Sequence, residues 1–371
     1  METIEDILNL RPGAATVAVH KRSREVTFSF LFFSDVRKDI PDARKYEFMK
    51  DITLFADREG FEAIYIPERH FYEFGSIYAN SAIMAAYLIP LTKRIRFRTA
   101  GISLPLHHPA EVVEWWAMND ILSNGRIDLG FGTGWNKPDF VFSPDNYNDR
   151  KKICWDRIPM VQQLWRGDTV VFPGPNGEQV PVTVYPRPVQ KELNVWLLAT
   201  RSDDSFEHAG RMGYNLFTML YGMDLEAMRG KIAIYRKARE EAGYDAATGK
   251  VSLMLHTMLL QDAAIVKSAV EEPFKKYIRS SLETHVRALQ EGKPDAADMS
   301  DGEKEKILDY AYHRYFKTGA VFGTVEDGRR VVDHAIDIGV NDIACLVDFG
   351  VDYDLVRSSM PFLKELVAGY L

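Results

Sequence analysis

Eight short apolar runs recur along the chain, and an amphipathic or mostly helical stretch follows nearly every one. They are VTFSFLFF (26–33), EAIYI (62–66), IRFRTAGI (95–102), IDLGFG (127–132), NVWLLAT (194–200), YNLFTML (214–220), VSLMLHTMLL (251–260) and DIACLVDF (342–349). Unbroken apolar runs of this length are the pattern of strands buried on both faces. The stretch ARKYEFMKDITLFADREGF has helical period and a glycine stop at Gly60. Strand and helix in alternation imply a parallel sheet with right-handed crossovers. Eight such units predict an α/β fold, a (β/α)8 TIM barrel. Residues 167–193 read as a loop with room for a small hairpin. Residues 1–25 read as an N-terminal arm and 26–371 as the barrel. Residues 262–318, long and charged, read as an insertion before the last βα unit and a candidate lid.

A net charge of −7 over 371 residues argues against a nucleic-acid partner, which needs a positive field. Cys154 and Cys345 lie far apart with no CxxC pair, which suits reduced thiols in a cytoplasmic protein. The acidic start METIEDILNL does not read as a signal peptide. No apolar window reaches the roughly 18 residues of a membrane span.

In a barrel of this kind the chemistry sits at the C-terminal ends of the strands. Glu68, Arg69 and His70 follow the second strand. The glycines of LGFGTGW follow the fourth. Trp135 stands where a dinucleotide fingerprint needs its third glycine, so that motif is excluded; a tight turn and a close backbone approach to a ligand both remain open. ATRSDDSF opens a helix after the fifth strand. Its serines suit N-capping, and with Arg201, Ser202 and Ser205 the same turn suits a phosphate. LPLHHPAE offers His107 and His108, but no second ligand cluster recurs at the other strand ends, so no metal is expected. SAIMAAYL and EVVEWWAM carry Ala, Met and Trp fit for a packed helix interface.

Together, ERHFYEFGSI, TAGISLPLHHPAEVVEWWAMNDILSNGRIDLGFGTGWNKPDF, VWLLATRSDDSF and the terminal FGTVEDG…IDIGVNDIACLVDFG resemble the bacterial luciferase-like flavin monooxygenases. Within that family they look most like the subgroup of natural-product pathways. The resemblance implies FMN at the barrel top, delivered reduced by a separate flavin reductase. Dioxygen then gives a flavin C4a-hydroperoxide that oxidises a small or carrier-bound substrate. It places Ala100 and Gly101 under the flavin ring, where relatives often have a cis peptide. Thr133 and Gly134 fall near the ribityl chain or phosphate. Luciferases have arginine at about the place of Thr133, so Arg201, Ser202 and Ser205 are the phosphate donors expected here. His70 and His108 match rim histidines able to carry protons near neutral pH. Arg69 replaces the first histidine of the luciferase pair. Guanidinium cannot act as a base but can hold an anion or a carbonyl, which argues against light emission from an aldehyde. Phe32, Ser34, Trp135, Met219 and Tyr221 are the expected substrate-facing residues, and a homodimer on the helices after strands two and three is expected. An F420-dependent hydride-transfer enzyme and a non-catalytic flavin-binding protein are the alternatives.

Overall fold

The computed structural model describes residues 26–33, 37–71, 75, 77–290 and 301–370. The arm expected over residues 1–25, and Ser34, lie outside them. Eight parallel strands close into a barrel: β1 (Thr27–Leu31), β2 (Ala63–Ile66), β3 (Arg96–Thr99), β4 (Ile127–Gly132), β5 (Val195–Leu198), β6 (Asn215–Met219), β7 (Val251–Leu259) and β8 (Asp342–Leu346). Each pairs with the next, and β8 returns to β1 with Phe30 opposite Cys345.

The helices are α1 (Asp42–Glu59), α2 (Ser81–Leu88), α3 (Pro109–Ser123), α4 (Arg150–Arg166), α5 (Asp203–Arg211), α6 (Leu225–Glu241), α7 (Ala263–Gln290), α8 (Asp301–Arg314), α9 (Val325–Asp337) and α10 (Tyr353–Ala368). α1 stops where expected: Gly60 takes a φ of +83° and its N–H returns to Ala56. Thr324 and Asp327 form a reciprocal capping box at the start of α9. The 167–193 loop does hold a hairpin, Val170–Pro173 against Gln179–Val182. No helix among the described residues is long and apolar enough to cross a membrane. Cys154 and Cys345 are buried and unbridged.

Two features were not legible beforehand. The third apolar run is not one strand. It breaks at Gly101, whose φ of +104° turns the chain, and Ile102–Ser103 pairs separately with β4. The Ala100–Gly101 peptide is not cis; among the described residues the cis bond is Tyr185–Pro186. A short strand, Val321–Gly323, also follows α8 and pairs with the end of β7.

Side chains alternate across each strand, and the inward set is polar at the N-terminal end. Arg98, 1% exposed, donates from Nη2 to Asp128 (2.8 Å) and from Nη1 to Tyr65 Oη (2.7 Å), with its guanidinium 3.9 Å over Trp196. Asp342 accepts from Ser29 (2.9 Å), Tyr65 (3.1 Å) and Ser252 (2.5 Å). Burial opposes charge on Arg98, but Tyr65, Asp128 and Asp342 reverse that and hold its pKa above the ordinary value. Two residues further along the strands the inward positions become Ala100, Gly130 and Leu198. The polar plug thus lies beneath a floor formed by Ala100, Gly130 and Leu198.

Candidate active site

The floor depends on glycine. Thr99 Oγ1 donates to Gly130 O (2.8 Å) and accepts from Gly130 N (2.7 Å). A Cβ on Gly130 would stand 2.3 Å from Thr99 O. A Cβ on Gly101 would stand 3.0 Å from Leu198 Cδ2, and one on Gly132 3.6 Å from the same atom. Gly130 thus lets the neighbouring strand's backbone approach closely, and at Gly101 and Gly132 the absent side chains leave Leu198 its place.

Above the floor, the turn after β2 forms the rim. Glu68 Oε1 lies 2.8 Å from His70 Nε2 and 2.7 Å from His107 Nε2. Burial would raise the Glu68 pKa, but His107 and His70 outweigh it and hold the carboxyl at about 2. Burial likewise opposes charge on His107, and the bond to Glu68 reverses this, leaving its pKa raised. Arg69 is anchored by its N–H on Tyr78 O (3.0 Å), and its guanidinium lies 4.1 Å over the Phe33 ring. Burial pushes its pKa down against the pull of Tyr277 and Asp139. Asp348 braces the same residues, accepting from Phe33 N (3.0 Å) and Tyr78 Oη (2.8 Å).

A cavity of about 420 Å³ adjoins the trio, lined by Glu68, His70, Asn80, His107, Glu111 and Trp115 among others. Its lining includes Ile102 and Leu106 but neither Gly101 nor the start of α5, so it is a side chamber of the rim.

A second polar group gathers at the N-terminus of α5. Lys151, on α4, reaches Ser202 Oγ (3.4 Å) and Asp204 (2.8 Å). Lys231, on α6, reaches Arg201 O (2.7 Å) and Asp203 (2.5 Å). Ser205 N donates to Ser202 O (3.0 Å), and Ser202 makes no side-chain cap. Nearby, Gly134 takes a φ of +69° and its carbonyl accepts from Arg150 Nε (3.1 Å), beside Thr133.

Several expected residues meet and others part. Arg69 and His70 share the rim. His108 does not join them: it caps α3, its Nδ1 accepting from Ala110 N (3.3 Å) with its ring 4.4 Å from Phe172. The neighbouring His107 takes the place at Glu68. Pro109 at the first position of α3 carries the signal, because the residue before such a proline is the N-cap. Phe32 is fully buried and packs 6.5 Å from Phe48 of α1. Strand alternation puts Ser29 and Phe33 on the inner face and Phe32 on the outer one, so Phe33 is the rim residue. Trp135 and Tyr221 are half-buried, and Met219 is buried. Burial pushes the Tyr221 phenol up to about 12.

Three contributors were missed. Lys151 and Lys231 come from helices remote in sequence. Asp139 sits in the short turn Lys137–Phe142, buried and paired with Asn136. Burial pushes its carboxyl up to about 6, against Asn136, His70 and Arg69. The stretch GWNKPDF contained it, but only the fold brings it beside Arg69 and His70.

A closed parallel barrel with a glycine floor and an ionisable rim at its strand ends defines a barrel enzyme with a preformed ligand platform. The profile of the luciferase-like monooxygenases matches residues 26–340, and the chain belongs to that family of flavin-dependent enzymes. It is 26% identical over 328 residues to the oxygenase component of a flavin-dependent trigonelline monooxygenase from Acinetobacter baylyi, covering 85% of this chain and 87% of that one. Its fold matches monooxygenase RslO1 from Streptomyces bottropensis with a TM-score of 0.74, at 22% identity, over 93% of this chain and 99% of that one. It also matches the oxygenating constituent of 3,6-diketocamphane monooxygenase from Pseudomonas putida, solved with FMN, with a TM-score of 0.73, at 15% identity, over 93% and 98%.

Proposed function

We propose that this chain is the oxygenase component of a two-component system. It would take reduced FMN from a separate reductase and oxidise a small organic or carrier-bound intermediate of secondary metabolism. The observation that carries the reading is the glycine floor at Gly101, Gly130 and Gly132, in a chain whose α5 N-terminus gathers Lys151, Arg201 and Lys231. The floor suits an isoalloxazine ring. The α5 terminus, with Ser202, Ser205 and those cations, suits its phosphate. Thr133 and Gly134 would meet the ribityl chain. The relative named as an oxygenase component supports the separate reductase.

Bound reduced FMN would supply the electrons that cleave dioxygen. The rest falls to the chain. Arg69, already desolvated, would hold a developing oxyanion by charge-assisted hydrogen bonds. His70, with Nε2 fixed on Glu68, would exchange a proton through Nδ1. Trp135 and Tyr221 would shape the substrate's side of the mouth.

The test is anaerobic titration with reduced FMN, followed by admission of oxygen with candidate substrates. Micromolar binding and oxygen incorporation into product are expected. Tighter binding of F420 with oxygen-independent turnover would instead make it a deazaflavin enzyme. Stable binding of oxidised FMN with no oxygen uptake would make it a flavin carrier. Arg69→Met and His70→Ala are each expected to lower kcat by about 10²-fold or more, with FMN affinity little changed. Full turnover in both would remove these side chains from the chemistry.

A homodimer is part of the same proposal. Ile83 (68% exposed), Met118 (54%) and Leu122 (64%) project from α2 and α3, an apolar surface suited to a second copy. Light scattering should show a dimer for the native chain and a monomer for Leu122→Glu. A monomer in both would refute it.

A further inference from the structure

We infer that His107 is the entry point of a proton relay that passes from the side chamber through Glu68 to His70. The inference rests on the oxygenase reading and extends it. With the reduced flavin as its monoanion, the overall reaction is FMNH⁻ + O2 + S + H⁺ → FMN + SO + H2O. One proton enters per turnover, and a mouth that excludes water must receive it through side chains.

The geometry supplies a route. Glu68 Oε1 lies 2.7 Å from His107 Nε2 and 2.8 Å from His70 Nε2. One carboxylate oxygen thus touches both rings, and a proton arriving from one side can leave on the other. The transfer balances with His70 as its Nδ1–H tautomer: His107 Nε2 gives its proton to Glu68 Oε1, Glu68 gives one to His70 Nε2, and His70 passes its Nδ1 proton onward, so that Glu68 is ionised before and after. His107, His70 and Glu68 all line the 420 Å³ chamber.

The groups around the relay suit a proton donor. Glu68 faces His107 from the β2 turn, Glu111 from α3 and Arg157 from α4. Arg157 donates from Nη1 to His107 O at 2.7 Å, which pins the backbone. Trp115 packs edge-on against the ring with centroids 5.7 Å apart. Around His70 stand Asp139, Arg69 and the edge of Phe142. Burial lowers the His107 pKa, Glu68 and Glu111 raise it, and the net shift is upward. The ring therefore holds its proton higher into the neutral range than a free imidazole.

The ligand atoms of Glu68, His70 and His107 also lie within 4.8 Å of one another, so a bound metal is the competing use of the same three side chains.

The experiment has two arms on the full chain. Histidine NMR titration should show that Glu68→Gln lowers the pKa of His107. An unchanged His107 titration in that variant overturns the relay. In the second arm, His107→Ala is expected to slow oxygenation by about 10-fold or more, most at pH values where the native His107 ring is protonated, with flavin binding intact. Added imidazole, entering the vacated chamber, should restore the rate in proportion to its protonated fraction. His107→Gln guards against a folding defect: it should be as slow as the alanine variant. Native-like rates in His107→Gln, or a loss that imidazole does not repair, overturn the relay. So does a stoichiometric transition metal retained after dialysis. Failure of the native chain to bind reduced FMN or consume oxygen would instead show that the oxygenase reading itself had failed.

Discussion

Asp128→Ala is expected to lower the unfolding free energy by about 3–5 kcal/mol. The measurement is a fall in the urea midpoint with an unchanged slope. Asp128 is fully buried and accepts from Arg96 (2.6 Å), Arg98 (2.8 Å) and Asn194 (2.9 Å). Burial would raise its pKa, but Arg98 and Arg96 hold it down. Removing it strands the Arg98 guanidinium, which is 1% exposed and cannot shed its proton. Asp342, 3.6 Å away, offsets only part of that cost. The double variant Arg98→Met with Asp128→Leu should recover much of the loss, because a buried pair is costly mainly when one partner is left alone. A single-variant loss below about 1 kcal/mol would refute this account of the polar plug.

Gly101→Val is expected to weaken reduced-FMN binding by about 100-fold, equal to about 2.8 kcal/mol. Gly101 adopts a φ of +104°, where a β-branched residue is strained. Its Cβ would press on Leu198 Cδ2 at 3.0 Å, and the branched methyls would project from the floor. The strain itself costs of order 1–3 kcal/mol, so thermal unfolding should be measured beside the flavin titration. Normal affinity in a folded Gly101→Val would mean that the flavin does not lie on this floor.

The strands, their order and the barrel were legible in the sequence because each apolar run is long enough to be buried and each spacer has helical period. The break at Gly101 was not: IRFRTAGI gives no sign of a turn before its end, and a single glycine carries no local mark of a positive φ. At the site, Arg69 and His70 were legible because they follow a strand directly. His107 and His108 were not separable by composition. One residue of phase along the chain decides which imidazole caps α3 and which reaches Glu68. Phe32 and Phe33 are divided by the same kind of parity, set by Ser29 facing Asp342 across β1 and β8.

The sequence by itself determined a parallel αβ barrel and a cluster of ionisable groups at its second strand end. Period and strand adjacency are local properties. The tertiary structure alone decided that Glu68 unites two histidines 37 residues apart, and that Lys151 and Lys231 converge on Ser202 and Arg201 from separate helices. It also brought Asp139 within electrostatic reach of Arg69. Such pairings depend on the closure of the barrel, which fixes the distance between strand ends that no local pattern connects.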